Sequence, residues 1–208
     1  MMDFKKEIRL AFSENKFAVY ISIAILVLSL ILGFYLESYL HPYMNPIVEA
    51  LTKRIEDGTI QLTFQSIFSN NIRVVLMSFF FGALFCFSAL VLALNGFFTG
   101  YVVATKGNLV QTLILIIPHG IFEFPSCILA CASGFVLFTF LKRFVKTVIN
   151  DKKGSFSDRL YASYVANFDK LKQALILLMI SVILMVVAGI IEVYITMPLA
   201  DYIIGMIS

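Results

Sequence analysis

Four stretches of the chain stay apolar for the width of a lipid bilayer: residues 17–36, 74–94, 120–141 and 174–197. At about 1.5 Å of rise per residue, some 20 helical residues cross the ~30 Å hydrocarbon layer, so each stretch is predicted to be a spanning helix. The first is longer than the core of a signal peptide and no small-x-small cleavage pattern follows it, which predicts a retained span. Residues 95–118, NGFFTGYVVATKGNLVQTLILIIP, are different, because Lys106-Gly107-Asn108 divides two apolar stretches that are each too short to cross. On pattern alone they fit a re-entrant hairpin or one broken span.

Charge chooses between these. Lys5, Lys6, Arg9 and Lys16 precede the first span, and Lys142, Arg143, Lys146, Lys152, Lys153, Arg159, Lys170 and Lys172 lie between the last two. Together they are 12 of the 16 basic residues. Lys and Arg concentrate on the cytoplasmic side, so both groups are expected there. An even number of crossings must then separate Lys16 from Lys142, and residues 95–118 supply the fourth. The prediction is an all-α polytopic membrane helix bundle with about five transmembrane helices, one of them broken or re-entrant. Its N-terminus is cytoplasmic and its C-terminus outside, which agrees with a tail that carries Asp201 and no Lys or Arg. Lys106 then falls near mid-membrane, at about 2.5–3.5 kcal/mol on insertion scales, unless the second span slides and Lys106 snorkels to the headgroups.

The chain divides accordingly. Residues 1–16 form a basic amphipathic cytoplasmic helix with Phe4, Ile8, Ala11 and Phe12 on one face, and residues 17–36 are the first span. Residues 37–73 are external, punctuated by Pro42, Pro46 and Gly58. Within them Ile47, Val48, Leu51 and Ile55 keep helical spacing and Ile60, Leu62 and Phe64 alternate, which fits a lid on the bundle or a loop resting on headgroups. Residues 74–141 are the transmembrane core. Residues 142–173 are a second basic amphipathic segment, in which Leu160, Tyr161, Tyr164, Val165, Phe168 and Leu171 follow the capping pattern Ser155–Asp158. Residues 174–208 hold the last span and tail. Both amphipathic segments are expected to lie on anionic lipid.

Composition agrees: 60% hydrophobic and 14% charged residues in 208 is more apolar surface than one soluble domain buries. Cys86, Cys127 and Cys131 all lie in apolar runs and read as small buried hydrophobes. No HExxH, nucleophile elbow or phosphate-binding loop is present, so neither an enzyme nor a cofactor nor a metal is expected, and nucleic acid is not an expected partner.

The polar residues inside the apolar runs carry the chemistry. With this topology Glu123 and Glu192 fall at similar depth, about one turn from the outer surface, and Asn71 and Arg73 enter the second span from the same side. Ionisable groups in spans usually face the bundle interior and pair, so Asn71, Arg73, His119, Glu123 and Glu192 are predicted to cluster. His119 and Glu123, at i, i+4, share a helix face, although Pro118 and Gly120 predict a helix start or kink there. Pro125, which lacks an N–H, frees a carbonyl in the preceding turn. A bridge from Arg73 to either glutamate that only fixes helix register is the alternative to transport or conduction. A metal-dependent hydrolase built on His119, Glu123 and Glu192 is the least supported. Asn95-Gly96 and Gly100 in NGFFTG, and Ala130 and Gly134 in ACASG, are small-xxx-small patterns that let helices approach closely. Packing within one chain is expected, and the motif also allows a homo-oligomer.

NN before one span, LNGxxxG after it, PHGIFEFP opening the next and GIIEVYIT in the last resemble the stage II sporulation protein M family, from about residue 70 to residue 196. The resemblance implies a multi-pass cell-membrane protein that acts as a scaffold and recruits cell-wall or membrane factors. It assigns no contact surface to named residues. Two functions follow as expectations: a non-enzymatic scaffold whose partners are the bilayer and other proteins, or a small channel or transporter that moves protons or cations through the Glu/His/Arg cluster.

Overall fold

The computed structural model describes residues 4–59, 63–84, 86–105, 109–151, 155–199 and 202. The described residues form helices joined by short turns: α1 (Phe4–Glu14), α2 (Lys16–Tyr35), α3 (Glu37–Glu56), α4 (Phe64–Phe81), a 3₁₀ turn at Gly82–Leu84, α5 (Cys86–Thr105), α6 (Leu109–Asn150) and α7 (Phe156–Ile191). A π-helical turn, Glu192–Thr196, continues α7. Five of these helices are long and apolar enough to cross a membrane.

The helix boundaries do not follow the apolar runs. Residues 74–94 read as one span, yet the helix is interrupted at Gly82–Leu84, and residues 64–73, read as external, are the first turns of α4. The Thr63 hydroxyl accepts from Ser66 N–H and the Ser66 hydroxyl accepts from Thr63 N–H, which starts α4 ten residues before the apolar run. The reversal between α4 and α5 is built from phenylalanine, glycine, alanine and leucine, with no polar residue to mark it. Gly82 permits it: a Cβ there would collide with the backbone of Gly134 on α6. Residues 95–105 are therefore the second half of α5, and residues 109–118 open α6. Lys106, Gly107 and Asn108 lie outside the described residues. Residues 60–62 do too, and Phe64, the described end of that alternating set, is helical.

Contacts fix the helix directions. Gly96 meets Leu26 and Ser29, Gly100 meets Leu30, and Gly33 meets Phe97 and Tyr101, so α2 and α5 run parallel. Ser126 hydrogen-bonds Ser181 and His119 lies against Thr196, so α6 and α7 are an antiparallel hairpin. Ser88 and Asn95 of α5 reach Cys131 and Cys127 of α6, also antiparallel. Four helices of membrane-crossing length, α2, α4, α5 and α6, lie between Lys16 and Lys142, the even number the charge bias predicts. The close-packing glycines of α5 find their partner in α2 of the same chain.

The core is small-residue packing around Leu26, Val75, Leu92, Cys127, Ala130 and Cys131, extended by Ala11, Val136, Ala174 and Leu177 toward the basic end. Pro118 and Pro125 lie inside an unbroken α6, so the expected helix start at Pro118 is not realised. Neighbouring helices can compensate for a missing N–H in an apolar bundle. Within the segment 142–173, expected to lie on lipid, residues 142–150 and 156–173 instead lengthen α6 and α7 to 42 and 36 residues. Asn167 Nδ2 donates to Thr147 Oγ1 at 3.3 Å and Arg159 Nη1 to the Asp151 carbonyl at 3.3 Å across this extension. α3 packs only lightly on α2 and α5, with Tyr43 and Ile47 exposed.

α1 is clamped to α7 by polar contacts. Lys172 Nζ meets Glu7 at 3.0 Å, Lys170 Nζ meets Glu14 at 2.9 Å, and the buried Asn15 Nδ2 donates to Gln173 Oε1 at 2.9 Å. Hydrogen bonds from Lys170 and then Gln173 hold the Glu14 carboxyl below its ordinary value of 4.5. A carboxyl lowered by folding contributes stability above its unfolded value and loses it as the pH falls through the folded one. Hydrogen exchange should therefore show α1 loosening selectively below about pH 4.5, while the glycine-packed spans stay protected.

Gly100→Ala should cost about 1–3 kcal/mol, because the new Cβ would strike the Leu30 carbonyl. Gly120→Ala should be neutral or stabilising, since its nearest neighbour is the movable Phe124 ring at 3.2 Å. Thermal unfolding of the two variants in detergent checks the contrast.

Candidate functional site

Positions 119, 123, 127 and 131 of α6 recur every four residues and line one face of the helix. That face carries His119, Glu123, Cys127 and Cys131 in descending order, and each meets a polar group from another helix or its own. His119 Nε2 stands 3.7 Å from Glu123 Oε2, and His119 Nδ1 lies 3.4 Å from Thr196 Oγ1 on α7. Glu192 is within electrostatic reach of Glu123. Asn95 Nδ2 donates to Cys127 Sγ at 3.5 Å, and Ser88 Oγ to the Cys131 carbonyl at 3.2 Å. The result is a polar column through the apolar bundle between α5, α6 and α7.

The π turn shapes the upper end of this column. Met197 N–H bonds back five residues to the Glu192 carbonyl, in place of the four-residue return of an α-helix. In the wider turn each residue advances by less than 100°, so Glu192 and Thr196, four apart, come nearer to eclipse on the side facing α6. Thr196 is buried and Glu192 half-buried. Such turns occur often at functional sites.

The structure brings together three of the five residues predicted to cluster: His119, Glu123 and Glu192. Asn71 and Arg73 stand apart, with no hydrogen bond or ion pair to those three among the described residues. For Arg73 the reason is its place on α4. Ile67, Val75, Ser78 and Phe79 form its buried face, and Arg73, two residues from Asn71 and Val75, lies about 200° around the helix and is exposed. The register-fixing bridge from Arg73 to either glutamate is thus not formed. Asn95, read as a packing residue, belongs to the column. Gly120, Pro118 and Pro125 flank it within α6, and Gly96 and Gly100 pack against α2.

Thr196, Cys127 and Ser88 were not among the predicted site residues. The four-residue spacing from His119 through Glu123 reaches Cys127 and is readable from sequence, whereas Thr196 is reached only through the π turn. Chemically the column offers one imidazole and two carboxyls for holding or passing a proton. Among the described residues no group of three His, Cys, Asp or Glu side chains is arranged to hold a metal ion.

The sequence model of the stage II sporulation protein M family matches residues 22–197, from the second turn of α2 to the end of the π turn. The chain belongs to the stage II sporulation protein M family. It is a membrane protein of that family, and the match includes every residue of the polar column while leaving α1 outside. Two proteins of the archaeon Methanocaldococcus jannaschii, both described as uncharacterized, are similar to it. One is 38% identical over 135 residues, covering 65% of this chain and 56% of the relative. The other is 33% identical over 148 residues, covering 69% and 76%. The chain thus spans little more than half of the first of these relatives. No solved structure matches this stage II sporulation protein M family member.

The geometry is checked by cross-linking in membranes. With the native cysteines replaced by alanine, a short bifunctional thiol reagent should join His119→Cys to Thr196→Cys and fail to join Arg73→Cys to Glu192→Cys. The reverse pattern would remove the column.

Proposed function

We propose that this protein is a non-enzymatic scaffold of the cell membrane that crosses it five times with its basic end in the cytoplasm and positions protein partners there. The observation that carries this reading is the projection of α6 and α7 beyond the length a bilayer needs. From Lys142 to Asn150 is about 12 Å of helix, and from Phe156 to Lys172 about 24 Å. The projection is stiffened by the Asn167–Thr147 and Arg159–Asp151 hydrogen bonds and braced by α1. Its surface carries Ile149, Tyr161 and Val165, which are 67%, 72% and 56% exposed, among basic residues. An aromatic and aliphatic face rimmed by Lys and Arg suits a partner with an apolar patch and acidic border.

A second reading, proton or cation movement, is favoured by one specific observation: the polar column with its π turn. Intramembrane ionisable groups are costly and are by default functional.

Two measurements separate these readings. In liposomes the scaffold reading expects no proton or cation flux above empty vesicles, for the wild type as for Glu123→Gln. Flux that Glu123→Gln abolishes would replace the scaffold with the transporter. In native membranes, a photo-cross-linker at Tyr161 should capture defined protein partners, and Val165→Glu should lower their yield at least fivefold. Unchanged capture removes the scaffold reading.

A further inference from the structure

Two hollows meet at the basic end, one polar and one apolar, and they share Glu14, Arg143 and Lys170. The polar one, about 380 Å³, lies between α1, α6 and α7. The apolar one, about 370 Å³, runs along the first turns of α2 and is lined by Phe17, Ala18, Ile21, Phe135 and Val136. Together they have a charged head and a greasy tail, side by side where the apolar layer begins at Phe17.

Charges in the head are unequal. Lys6, Arg143, Lys170 and Lys172 face Glu7, Glu14 and Asp169. The acids are already engaged: Glu7 and Asp169 by Lys172 at 3.0 and 3.3 Å, and Glu14 by Lys170 at 2.9 Å and Gln173 at 3.0 Å. Arg143 makes no ion pair within 4 Å among the described residues, although it stands close enough to Glu14 to act on its charge. The head carries one surplus positive charge, and the Arg143 guanidinium, which forks to two oxygens, matches a phosphate diester. Phe17, 73% exposed, walls the adjoining groove from the lipid side.

We propose that this cleft is a binding site for one anionic glycerophospholipid, its phosphate on Arg143 and one acyl chain in the groove between α2 and α6. The occupant is argued from charge complementarity at the head, an apolar channel continuous with it, and the position of both at the first residues of a membrane span. A soluble phosphate ester would use the head alone and leave the groove unfilled. The bound lipid would add a bridge across α1, α2 and α6 beside the direct packing of α2 on α6. The inference is independent of the polar column and of either function proposed above.

Native mass spectrometry of the full chain released from detergent micelles tests it, with dioleoyl phosphatidylglycerol, dioleoyl phosphatidylcholine and glycerol phosphate as probes. The wild type should retain one phosphatidylglycerol at least tenfold more strongly than phosphatidylcholine, and glycerol phosphate should not displace it. Arg143→Gln should lower retention at least tenfold; because Arg143 is exposed, this variant is expected to fold. Ala18→Phe, which fills the groove, should lower retention to a similar degree, and Lys53→Gln on α3 should leave it unchanged. Equal retention of the two lipids, or retention unaffected by Arg143→Gln, overturns the proposal. Displacement by glycerol phosphate, or loss in Arg143→Gln with full retention in a folded Ala18→Phe, assigns the head to a free phosphate and overturns it as well. Should Ala18→Phe not fold, Arg143→Gln and the glycerol phosphate competition decide.

Discussion

Lipid tails are as apolar as leucine, so no hydrophobic force draws one spanning helix to another, and these helices must associate through close approach of their backbones. Gly33 and Gly100 supply that approach. Each stands where a Cβ would collide with a carbonyl of the facing helix, Phe97 in one case and Leu30 in the other. The two contacts fix α2 and α5 as a parallel pair. A parallel pair forces the chain to reverse between α4 and α5, and Gly82 against Gly134 provides the space.

That framework decides what the polar residues can do. Because α5 is antiparallel to α6, Asn95 meets Cys127 one turn from Glu123, and Ser88 meets the backbone of Cys131 a turn further on. Because α7 returns along α6, its π turn delivers Glu192 and Thr196 to the level of Glu123 and His119. The column is a by-product of register set elsewhere by glycine. Arg73 stays outside because α4 turns its other face to the core.

The basic end follows a different physics. Water is available there, so α6 and α7 continue on hydrogen bonds and ion pairs after the apolar residues give out. α1 is held by three polar contacts to α7, from Glu7 to Lys172 and from Glu14 to Lys170 and Gln173, and by one buried alanine. Charged groups at this end pair across α1 and α7 at the surface, while those of the column bear on one another inside the bundle.

The sequence by itself determined that the chain is a membrane protein with about five helices long and apolar enough to cross, that its basic segments share one end, and that His119 and Glu123 share a helix face. These rest on length, hydrophobicity and spacing along a single helix, which are local quantities. It misplaced the break between the second and third spans, since the FFFGALFCF reversal is as apolar as the helices it joins and hydropathy has nothing to register there. It also joined Arg73 to the carboxylates, because depth can be counted along a chain but which side of a helix faces the core cannot. Only tertiary packing set that rotation: α4 buries Ile67, Val75, Ser78 and Phe79 and leaves Arg73 outside, and the π turn, which no local pattern announces, turned Thr196 toward His119.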